Sequence, residues 1–80
     1  MDIQKLKQLR VAEPFKPFNL VMADGKRLPV ERAAYLAIAP NGRRLAYSRI
    51  SGGVDFLIID EVQDAVVDEN LATPWKRSRQ

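Results

Sequence analysis

Residues 35–59 read YLAIAPNGRRLAYSRISGGVDFLII, three apolar runs separated by Pro40-Asn41-Gly42 and Ser51-Gly52-Gly53. Tight reversals need residues that tolerate positive φ, and Asn-Gly and Gly-Gly between β-prone runs are a short-range hairpin signal. Within the stretch, Arg44 to Ile50 alternates, setting Leu45, Tyr47 and Arg49 against Arg44, Ala46, Ser48 and Ile50. A period of two residues is that of a half-buried strand. The reading is therefore a meander of antiparallel strands. Val54 to Ile59 is its most hydrophobic member and is expected at the centre of the sheet.

Outward from this stretch the same grammar continues. Asp24-Gly25 joins a strand over Phe18–Ala23 to a second over Lys26–Glu31. In the first, Phe18, Leu20 and Met22 share one face; in the second, Pro29 lacks an amide donor and points to an edge or a bulge. Residues 31–34 read either as strand or as a brief helical turn, before strand resumes over Tyr35–Ala39. Asp60-Glu61 interrupts the chain ahead of a last strand over Val62–Val67. Upstream, Asp2 is placed to cap a helix ending near Val11, with Ile3, Leu6 and Leu9 as its apolar stripe. Pro14 and Pro17 stop that helix and hold Phe15 and Phe18, expected core anchors, in an extended lead-in.

Eighty residues allow one domain with a modest core. Without cysteine there is no disulfide or thiolate site, and without histidine the usual proton-transfer group and commonest metal ligand are missing. The hydroxyls Ser48, Ser51, Thr73 and Ser78 lie in no nucleophile elbow, and no glycine-rich phosphate loop is present. The expectation is a protein that is not an enzyme and holds no cofactor or metal. The longest apolar runs, 33–39 and 56–59, fall far short of a membrane span. Residues 1–10 carry three cations with no apolar block behind them, unlike a signal peptide, so a cytoplasmic location and no membrane partner are expected.

The net charge of +3 is unevenly distributed. Residues 1–54 hold ten Lys and Arg against four acids, whereas residues 55–70 hold six acids and no cation. Arg43, Arg44 and Arg49 near the Asn41-Gly42 reversal, with Tyr47, can grip a phosphate backbone and stack a base if that ring is exposed; otherwise Tyr47 belongs to the core. Trp75, Lys76, Arg77 and Arg79 give a basic, flexible tail over 71–80 that suits nucleic acid or an acidic partner. Asp60, Glu61 and Asp64 form a candidate acidic interface, and their spacing does not match a Ca²⁺ loop.

Two resemblances emerge. Pro14-Phe15-Lys16-Pro17-Phe18, Asp24-Gly25-Lys26, Ala39-Pro40-Asn41-Gly42-Arg43 and Ile58-Ile59-Asp60 resemble a pattern shared by small bacterial proteins of about this length, which bring no established activity. Glu31-Arg32 stands where those proteins often have His-Pro. The helix, the meander and the break before the last strand are similar to the Sm-like barrel of the bacterial RNA chaperone Hfq, which would imply ring assembly and RNA binding. Ile59-Asp60-Glu61 stands where that family has a basic, aromatic Tyr-Lys-His segment, and two carboxylates there repel phosphate.

The expected fold is mainly β (small α+β): five or six antiparallel strands in an SH3-like or Sm-like, partly open barrel or bent sheet, with an N-terminal helix over about 2–11. One domain occupies 1–70. Its expected role is an interaction or assembly module binding itself or a protein partner through strand edges and segregated charge. The alternative is an Sm-like binder of RNA or single-stranded DNA.

Overall fold

In the computed structural model, which describes residues 1–68, Asp2 caps helix α1 (Ile3–Val11), its carboxylate accepting from the Gln4 amide at 2.9 Å. Leu6 is fully buried, with Ile3 and Leu9 packed beside it, so the expected stripe faces the core. A nine-residue helix is too short to persist alone in water and is held by that docking.

Six strands follow: β1 (Phe18–Met22), β2 (Arg27–Val30), β3 (Leu36–Ile38), β4 (Arg44–Ser48), β5 (Val54–Ile58) and β6 (Val62–Val67). They form two three-stranded antiparallel sheets, ordered β2-β1-β6 and β3-β4-β5, that do not close into a barrel. All three reversals form where expected, with Gly25, Gly42, Gly52 and Gly53 at positive φ. Between β2 and β3 the chain makes a 3-10 turn over Ala33–Tyr35, so Tyr35 belongs to that turn and not to the strand expected from 35. A second 3-10 turn, Ile59–Glu61, realises the Asp60-Glu61 interruption.

The core lies between the sheets. Phe18, Leu20 and Met22 from β1 meet Val30, Leu45, Tyr47, Val62 and Ala65, with Leu6 and Leu36 alongside. Phe15 packs on Phe18 with ring centroids 5.9 Å apart. Helix α1 ties the two sheets together: Lys5 pairs with Asp64 of β6 at 2.9 Å, and the Arg10 guanidinium donates to the Leu36 carbonyl of β3. The Tyr47 hydroxyl makes a second tie by donating to the Pro29 carbonyl at 2.7 Å.

A second expectation is corrected. β5, expected at the sheet centre because of its hydrophobicity, is an edge strand. Only its Asp55 and Leu57 side turns inward, while Val54, Phe56 and Ile58 face outward. Apolar residues on both faces of a strand signal cover on both faces. Here the described residues supply only one.

Candidate interaction surface

Each sheet has two edges, and antiparallel pairing determines which backbone groups an edge presents. In β2 the pairing with β1 leaves Arg27 and Pro29 facing away. Pro29 has no amide hydrogen, and its carbonyl is occupied by the Tyr47 hydroxyl. In β3 the outward residues are Leu36 and Ile38, and Leu36 is fully engaged: its amide donates to the Ala33 carbonyl and its own carbonyl accepts from Arg10. In β6, Ala65 turns its amide outward, where the Asp64 carboxylate accepts it at 2.8 Å. Proline, charged groups and local side-chain caps are the means by which sheets avoid edge-to-edge pairing.

β5 carries one charge, Asp55, turned inward and met by Arg49 at 3.6 Å, but neither proline nor a side-chain cap interrupts its outward amides. Arg49 donates to the Gly53 carbonyl and Ile59 to the Arg43 carbonyl, which fixes the phase of the β4–β5 ladder. Asp55 and Leu57 therefore bond to β4, and Val54, Phe56 and Ile58 direct their amides to the open side. Their side chains are 52 %, 79 % and 45 % exposed, in that order. Ile50 at the preceding turn is exposed as well, and Ala37 and Ala46 continue the Phe56 row across the sheet. Among the described residues β5 is the one edge without interruption, and it carries the largest exposed apolar side chain. No protein-family model, curated protein or solved structure matches the chain.

The residues singled out from sequence are placed apart. Arg43 and Arg44 line a hollow of about 490 Å³ with Ile58, Ile59 and Asp60, so a carboxylate shares their surface. Arg49 lies beyond the far end of β4, about 17 Å away at strand rise. It donates to the Gly52 carbonyl and sits 3.6 Å from Asp55, so the expected arginine cluster is not formed. Tyr47, a candidate for base stacking, is 2 % exposed and offers no free ring face. Burial, followed by the nearby Asp55 and Glu31 charges, raises its phenol pKa.

The acids diverge too. Asp60 lies in the arginine hollow, whereas Glu61 lines a cleft with Asp24, Asp55, Met22, Leu28 and Leu57. Asp64 is held by Lys5 and by the Ala65 amide, and these bonds lower its carboxyl pKa. The expected single acidic interface is thus divided among three places. Trp75, Lys76, Arg77 and Arg79 lie outside the described residues. Sequence reasoning missed Val54, Phe56 and Ile58; the signal was an uninterrupted Val-x-Phe-x-Ile without lysine or proline.

Proposed function

We propose that this chain is a non-enzymatic interaction module that associates with itself or with a protein partner by extending its sheet at β5. The observation that carries this reading is the open edge of Val54, Phe56 and Ile58, where free backbone donors coincide with exposed apolar side chains. A strand added there gains main-chain bonds along the edge and apolar contact on one face, the two components of β-augmentation. The fold supports the reading as an opened SH3-like or Sm-like barrel, with β1 between β2 and β6 and a 3-10 turn before the last strand.

Binding of RNA or single-stranded DNA is the second reading, favoured by the neighbouring Arg43 and Arg44. Asp60 in the same hollow and the burial of Tyr47 weigh against it. A photoreactive phenylalanine analogue at position 56 of the full chain, irradiated in cells, separates the two. Adducts to protein are expected. Adducts to nucleic acid alone, or none, would overturn the interaction module.

A further inference from the structure

We infer that the occupant of the β5 edge is β5 of a second copy, paired antiparallel about a two-fold axis at Phe56, so that two three-stranded sheets become one six-stranded sheet. This rests on the proposed interaction module and names its partner.

The first argument is which edges a second copy can offer. Pro29 with Tyr47 interrupts β2, the Leu36 amide and carbonyl are both engaged in β3, and Asp64 takes the central outward amide of β6. Pairing β5 with any of these breaks a bond already made or meets a missing donor. Pairing β5 with β5 breaks none.

The second argument is register. With Phe56 on the axis, the two Phe56 residues exchange amide-to-carbonyl bonds, and Ile58 of one copy donates to Val54 of the other. Val54 meets Ile58 and Phe56 meets Phe56 on the exposed face, joining the apolar rows of both sheets. On the inner face Asp55 stands opposite Leu57, so no like charges meet.

The chain has no cysteine, so introduced thiols report without background. Full-length V54C and I58C are mixed, oxidised mildly and resolved by mass. Paired Cα atoms about 5.5 Å apart are within disulfide reach. The mixture is expected to cross-link V54C to I58C, with little of either homodimer. Sedimentation should show a monomer–dimer equilibrium for the wild type. Phe56→Lys, on a side chain that touches little of its own fold, should weaken dimerisation about 30-fold or more. An oligomer that fails to give the mixed disulfide would overturn the two-fold register and leave β5 as a binding edge. A monomer at every concentration would overturn the second copy as partner, while the cell cross-link at position 56 still decides the wider reading.

Discussion

Tyr47 joins the two sheets with one hydroxyl, and burial keeps that hydroxyl protonated above the usual pKa of about 10. A group whose pKa rises on folding gives stability that is full below its unfolded pKa and lost as pH climbs through the folded one. The protein should therefore weaken above about pH 10, read as a falling urea midpoint. Tyr47→Phe should cost about 1 kcal/mol at pH 7 through the lost bond to Pro29, and should flatten the alkaline fall. Asp64 behaves in the opposite sense. Its bonds to Lys5 and Ala65 lower its pKa, so its stabilisation is full above the ordinary carboxyl range and disappears as pH drops through the lowered value. Lys5→Met should move the Asp64 titration upward, as followed by carboxyl NMR. A midpoint that stays in place would show that Lys5 does not set it.

Helix α1 holds its place through Leu6. Leu6→Ala is expected to cost about 2–5 kcal/mol, measured by urea unfolding, a large share of the stability of a domain this small. The helix was legible from Asp2, the Ile3-Leu6-Leu9 spacing and Pro14, because capping, periodicity and proline are local physics. The reversals were equally legible, since Gly25, Gly42, Gly52 and Gly53 occupy backbone conformations that other residues resist. At Gly53, φ is +90° and an added Cβ would fall 2.2 Å from the Arg49 guanidinium. Gly53→Ala should lower the unfolding midpoint, an effect of about 1–2 kcal/mol from backbone strain alone. The position of β5 was not legible. A strand reading Val-Asp-Phe-Leu-Ile satisfies the pattern of a covered centre and that of an edge awaiting cover, and only the strand order distinguishes them. The candidate site was lost for a related reason: spacing along the chain placed Arg43, Arg44 and Arg49 together, and the length of β4 separates them.

At the scale of the whole molecule, the sheets meet water at four edges that are treated unequally. Three are interrupted by groups the fold already uses for other purposes: the Tyr47–Pro29 tie, the Arg10 anchor of the helix and the Asp64 cap. Among the described residues the fourth is left bare. If β5 pairs with β5 as proposed, the protein has, in assembly terms, a valence of one. A unit with a single bond to give can only pair and stop, whatever its concentration, because joining two such units consumes the capacity of both. Asp64 is then a terminator as well as an anchor. Asp64→Ala would free the Ala65 amide and supply a second bond, at the edge of the other sheet, and a unit with two such joints can extend into fibres rather than closing. Light scattering by that variant, set against the wild type at the same concentrations, would show growth for the variant alone if this one carboxylate closes the β6 edge.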